Sequence, residues 1–207
     1  MDITFKDLIK LWGKPINQEK IDINSPIGLI STDTRTIEKG NFFVPLVGNR
    51  FDGHNYLVMA FDIGIQAAIV SEKFNGSVPT GLPHWVVADT LYAYQQIALL
   101  HRRNLNLPVV AVTGSVGKTT TREFIRVILS SLGEIVSSRG NENNDIGVPK
   151  TLLRGTGKDA AYVLEMGMRG LGQIERLSRV AEPDIAVITN VGQAHIGILG
   201  SRENIAK

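Results

Sequence analysis

The most specific chemistry in the chain lies in Gly114-Ser115-Val116-Gly117-Lys118-Thr119-Thr120, between the apolar run VVAVT and a stretch with helical spacing. Glycines let backbone amides turn inward, and the N-terminus of a following helix adds partial positive charge. Such a loop cradles phosphates. Lys118 is the mobile cation for β- and γ-phosphates, Thr119 supplies a hydroxyl for Mg²⁺, and Thr113 leads into the loop. The strict pattern places a glycine where this chain has Val112, so the loop is a variant with Ser115 and Val116 alone between its glycines. A plain strand-to-helix turn can also be rich in Gly and Thr. Strand, glycines, Gly-Lys-Thr and helix agree here, which favours ATP binding. The pattern G-x-G-x-x-G is absent, which argues against a nicotinamide cofactor.

Two further side chains sit at strand ends. Glu165 closes AAYVLE, and His195 follows DIAVITN in the loop VGQAHIGILGS. In a parallel sheet both emerge on the edge that carries the phosphate loop. They could then ligate a Mg²⁺ that bridges ATP to substrate, although this hard cation prefers oxygen to histidine nitrogen. Taken singly, Glu165 reads as a solvated strand end and His195 as a loop histidine; their joint placement favours function. Three polar loops also end strands: GNENNDIG at 140–147, STDTR at 31–35 and GNRFDGHN at 48–55. On chemistry alone they are ordinary turns. As substrate contacts they offer Asn143 and Asn144, then Ser31, Asp33 and Arg35, then Asp52 and His54. His84 and His101 have no such context and read as structural.

The elements that would position these groups fall into two α/β parts. Short β-like runs at 27–32, 41–48, 67–72 and 84–89, with an apolar helical stretch at 56–64, predict a small α/β domain over 1–105. A helix is expected over 90–105, with the boundary at NLNLP. The rhythm then becomes strand, loop, helix: strands at 109–114, 134–138, 160–167 and 184–192, and helices at 120–133, 149–155, 172–181 and from 201. This alternation predicts a partial doubly wound parallel sheet with a P-loop over 106–207, with ligands at the C-terminal ends of its strands.

Composition removes other classes. The chain has 207 residues, 43% hydrophobic and 20% charged, with 22 basic against 20 acidic side chains for a net of +2. That is not the basic surface of a nucleic-acid binder. There are no cysteines, hence no disulfide, thiolate nucleophile or cysteine-held zinc. Neither a signal peptide nor a membrane-spanning run is present. A cytoplasmic monomer is expected.

The segments STDTRTIEKGNFFVPLVGNRFDGH, VTGSVGKTTTRE, GNENNDIGVPKTLL, EMGMRGLGQIERL and TNVGQAHIGILGSRENIAK together resemble the Mur ligases, from about residue 27 to the end. The asparagine-rich block and the S-V-G-K-T-T-T loop are most similar to the member that adds D-alanyl-D-alanine to UDP-N-acetylmuramoyl-tripeptide. Alternatives are a diaminopimelate- or lysine-adding relative, a polyglutamate-type relative, or a nucleotide-binding interaction module. The resemblance implies a three-domain ATP-dependent amide ligase of peptidoglycan synthesis. In it, the N-terminal domain holds the UDP part through Ser31, Asp33, Arg35, Asp52 and His54. The loop from Thr113 to Thr120 binds ATP, Asn143 and Asn144 face the UDP-sugar precursor, and Thr119, Glu165 and His195 hold Mg²⁺. It further implies transfer of γ-phosphate to the substrate carboxylate and attack of an amine on the acyl phosphate.

The family's chain is roughly twice as long. Its C-terminal domain and the rest of the central domain are expected beyond residue 207, as is a carbamylated lysine that serves the metal. By motif that lysine falls two positions further on. Lys207, displaced from it by about 200° of helical rotation, faces elsewhere. The chain therefore reads as an N-terminal fragment, expected to bind nucleotide without catalysing ligation alone.

Overall fold

The structure, a computed structural model, describes residues 2–206. Lys207, expected to face away from the place of the family's lysine, lies outside them. Two compact units divide between Ile97 and Ala98. This division falls inside a continuous helix rather than at its end near residue 105.

The first unit opens with helix α1 (Phe5–Trp12), an element beyond those the sequence pattern predicts. Its start is fixed by a capping box: the backbone amide and hydroxyl of Thr4 both donate to Asp7 Oδ2, at 3.1 and 2.8 Å. Four short strands, β1 (Ile30–Ser31), β2 (Phe42–Phe43), β5 (Ala67–Ser71) and β6 (His84–Val87), form a parallel sheet in that order. A separate antiparallel pair, β3 (Val47–Gly48) and β4 (Phe51–Asp52), interrupts them. The strand expected over 41–48 is thus two pieces. Pro45 lies between them and has no N–H to donate to a ladder. Helix α2 (Leu57–Ile63) buries Leu57 and Ala60 against Phe43, Ala68 and Val70. On the other side Trp85 stacks on Phe5 with ring centroids 6.2 Å apart, and its indole N–H donates to Gly13 O at 2.8 Å.

Helix α3 (Thr90–Leu105) carries the division between the units. The second unit holds β7 (Val109–Thr113), α4 (Lys118–Leu129), β8 (Ile135–Ser137), α5 (Gly147–Leu152), β9 (Ala161–Glu165), α6 (Gln173–Ala181), β10 (Ile185–Ile188), α7 (Ile196–Leu199) and α8 (Arg202–Ala206). Its sheet is parallel throughout, ordered β10-β7-β9-β8. Its core gathers Val109, Ala111, Val148, Leu152, Tyr162, Leu164 and Leu177. From β7 the chain goes first to one side, through β8 and β9, and then to the other as β10. The reversal occurs beside β7, and ligand crevices in such sheets lie at the carboxyl ends of the strands flanking that point. His84 and His101 are buried, each with a ring nitrogen on a backbone carbonyl, Leu82 O at 2.8 Å and Gly155 O at 2.9 Å. Among the described residues no helix is long and apolar enough to cross a membrane.

Candidate functional site: the phosphate loop and its neighbours

The loop after β7 adopts the shape its glycines allow. Gly114 has φ +136° and Gly117, the N-cap of α4, has φ +83°. The amides of the first turn of α4 have no helical carbonyl behind them and point toward the loop. Lys118 Nζ donates to Gly114 O at 2.7 Å, so the cation bridges the mouth of its own loop. Thr113 Oγ1 donates to Met166 O at 2.9 Å and ties β7 to the end of β9.

The outer wall of the loop comes from the end of the segment 184–192, expected as strand throughout. β10 ends at Ile188, and Thr189 and Asn190 turn onto the loop instead. Thr189 Oγ1 donates to Val116 O at 2.6 Å, and Asn190 Nδ2 donates to the same oxygen at 3.0 Å. In return Asn190 O accepts from Ser115 N at 3.1 Å, and Ser115 Oγ accepts from Gly192 N at 2.8 Å. No motif spacing pointed to Thr189 or Asn190. The polar run after a buried strand was the available signal.

Glu165 is the centre of the site. It is 3% exposed, and both oxygens of its carboxylate have partners. Oε2 accepts from Thr119 Oγ1 at 2.8 Å and faces Arg122 Nη1 at 3.5 Å, while Oε1 accepts from Asn143 Nδ2 at 2.9 Å. Register places Glu165 there: it pairs with Val112 one residue before β7 opens into the loop. The structure therefore brings together Lys118, Thr119, Glu165 and Asn143 from the sequence candidates. It adds Arg122, itself 5% exposed, which was missed. Its signal was its position one turn beyond Thr119, on the same face of α4.

The 140–147 loop owes its shape to Glu142. Burial acts to raise the Glu142 carboxyl, but Arg154 at 2.6 Å and Lys150 at 3.0 Å outweigh it and hold the group at about 2. Asn144 Oδ1 accepts from Gly147 N at 2.9 Å and caps α5, so Asn143 and Asn144 have different duties. His195, the N-cap of α7 with φ +60°, is exposed, and its ring has no hydrogen-bond partner among the described residues. Among those residues no three His, Asp or Glu side chains converge as a metal cage.

The first unit holds the other candidates. Ser31 Oγ donates to Asp33 O at 3.0 Å, and Asp33 holds the exposed Arg35 through both carboxylate oxygens, at 2.9 Å and 2.5 Å. His54 is buried at 2% exposure. Its Nε2 accepts from Ser71 N at 2.9 Å, which assigns the proton to Nδ1, and Nδ1 donates to Asp52 Oδ1 at 2.5 Å. His54 is thus committed to fixing Asp52. Burial works against the Asp52 charge, but the bonds from His54 prevail and its carboxyl lies below the usual range.

Residues 112–207 match the Mur ligase middle domain. A UDP-N-acetylmuramoyl-tripeptide–D-alanyl-D-alanine ligase from Synechocystis sp. is 46% identical over 189 residues, 91% of this chain and 40% of that protein. Among solved structures, MurF from Acinetobacter baumannii matches with a TM-score of 0.87 at 37% identity, over 98% of this chain and 44% of that one. MurF ligase from Thermotoga maritima in complex with ADP matches at 0.78 and 32% identity, over 87% of this chain and 41% of that one. The chain spans about two fifths of the length of the curated relative.

Proposed function

The chain belongs to the Mur ligase family, and from that premise we propose that it serves an ATP-dependent ligase of peptidoglycan synthesis. The reaction joins D-alanyl-D-alanine to UDP-N-acetylmuramoyl-tripeptide in the cytoplasm. The observation that carries this reading is the 2.8 Å contact between Thr119 and Glu165, which sets a Gly-Lys-Thr hydroxyl and a neighbouring strand-end carboxylate together beside a helix N-terminus. The ADP named with the Thermotoga maritima relative supports nucleotide at this loop.

The chemistry makes one amide bond at the expense of one phosphoanhydride. The γ-phosphoryl group passes to the tripeptide carboxylate with release of ADP. The amine of D-alanyl-D-alanine attacks the acyl carbon, loses a proton and expels phosphate. Two anions, carboxylate and triphosphate, must meet, so positive charge has to be placed between them. Lys118 leaves Gly114 O to meet the β- and γ-phosphates, and the amides of the α4 first turn receive their oxygens. The pair of oxygen donors, Thr119 and Glu165, fits a hard divalent cation, and His195 is free to approach it. Mg²⁺ bound there supplies charge neutralisation. In the first unit, the exposed Arg35 and the second oxygen of Asp52 are the groups that can meet the UDP moiety, while Ser31, Asp33 and His54 hold them.

A titration with a fluorescent ATP analogue tests the nucleotide site. Lys118→Ala should weaken binding by roughly tenfold to a hundredfold, the loss of one charge-assisted contact, with the fold retained. Unchanged affinity would sink the assignment. Phosphate release by the full-length ligase that contains this chain should depend on D-alanyl-D-alanine; stimulation by diaminopimelate or lysine instead would move it to another branch of the family.

A further inference from the structure

We propose that Arg122 is the resident counter-ion of Glu165: its guanidinium balances the carboxylate while no divalent cation is bound, and yields that place when one arrives. This rests on the reading of Glu165 as a Mg²⁺ ligand. Glu165 is a buried carboxylate, and such a charge is strongly disfavoured without a partner. Thr119 and Asn143, its close hydrogen-bond partners, are neutral. Lys118 is turned toward Gly114 O. Among the described residues Arg122 is the cation in contact with Glu165.

The geometry of that contact suits a partner that leaves. At 3.5 Å, Arg122 Nη1 and Glu165 Oε2 attract by charge and scarcely by hydrogen bonding. The firmer hold on Arg122 is Glu123, whose Oε1 accepts from Nη2 at 2.7 Å and Nε at 3.2 Å. Arg122 therefore keeps a carboxylate partner when a cation takes Oε2. It also lines a cleft of about 590 Å³ beside β8 together with Glu123, Glu134 and Asp159, carboxylates that favour a guanidinium on that side. Thr119 and Arg122 share one face of α4, so the hydroxyl and the guanidinium are displaced from the same oxygen together.

Melting curves of the protein, Arg122→Gln, Glu165→Gln and the double variant, each with and without Mg²⁺ and without nucleotide, test this. Arg122→Gln should lower Tm by roughly 10 °C, the effect of stranding a buried charge. Mg²⁺ should restore much of that loss and bind the variant about tenfold or more tightly than it binds the parent, because a repelling cation is gone. The double variant should recover most of the lost Tm and ignore Mg²⁺. An equal Mg²⁺ response in parent and Arg122→Gln overturns the counter-ion role while leaving Glu165 as a metal ligand. A missing response in both overturns the metal reading and this inference with it. Should Arg122→Gln fail to fold, the double variant decides: recovery on neutralising Glu165 supports the pairing, and continued failure overturns it.

Discussion

Replacing Gly114 by alanine separates two terms that a glycine-rich loop usually confounds. An added Cβ meets Thr189 Oγ1 at 2.1 Å and the Asn190 backbone at 3.0 Å, and the residue also sits at φ +136°. Gly117, at φ +83°, has Thr189 Cβ at 3.9 Å as the nearest atom to such a Cβ. Gly117→Ala therefore carries only the backbone term, about 1–2 kcal/mol for an L-residue at positive φ. Gly114→Ala carries that and an overpacking term of about 1–3 kcal/mol. The clash cannot be relieved freely, because the Thr189 hydroxyl is bonded to Val116 O at 2.6 Å. For a chain of this size each kcal/mol moves Tm by about 2–4 °C. Gly117→Ala should thus melt roughly 5 °C below the parent and Gly114→Ala roughly 10 °C below it, in the same buffer by differential scanning fluorimetry. Gly114→Ala should also lose affinity for an ATP analogue, since the Thr189–Asn190 wall must shift. Equal melting of the two variants would refute the claim that the wall packs against Gly114.

Two other perturbations follow from clamped charges. The folded carboxyl of Glu142, held at about 2, lies below its ordinary value of 4.5, so its stabilisation is complete above about pH 5 and is lost as pH falls toward 2. Glu142→Gln should cost about 1–2 kcal/mol at neutral pH, less than the full shift because solvent screens a partly buried group, and flatten the acid limb of a stability profile; an unchanged limb counts against the Arg154–Lys150 clamp. The Arg102 guanidinium, 6% exposed, donates to Ala181 O at 3.1 Å and Glu182 O at 3.0 Å and pairs with Asp184 at 3.1 Å. Arg102→Met should lower the guanidinium chloride midpoint by an amount worth about 2–3 kcal/mol with an unchanged slope. A midpoint equal to the parent's would show that the end of α6 is held by other contacts.

Much of the second unit was legible because its strands are apolar on both faces and its helices are stopped by recognisable residues. VVAVT and AAYVLE became β7 and β9 with little change, and Gly-Lys-Thr opened α4. The first unit was harder. Its sheet strands are as short as Ile30–Ser31 and Phe42–Phe43, too brief for a period of two to emerge, and Pro45 broke the run that concealed a hairpin. Helix α1 was not predicted although Thr4 and Asp7 have the spacing of a capping box. At the candidate site, spacing named Lys118, Thr119 and Glu165, which depend on local sequence and strand register. It did not name Arg122, Thr189 or Asn190, whose contribution is a contact across the fold. Nor did it distinguish Asn143, which touches Glu165, from Asn144, which caps a helix.

The wall of the phosphate loop has a bearing on synthesis. The motif is continuous in sequence, but Val116 and Ser115 take their bonds from residues separated by 74 and 77 positions, beyond three intervening strands. A nascent chain that has exposed Gly114–Thr120 holds the whole motif without its outer support. That support arrives only when β10 docks on β7, and loop closures of this length slow the formation of such contacts. Nucleotide capture during translation should accordingly switch on late, after Asn190 and Gly192 have cleared the ribosome, rather than when the lysine does.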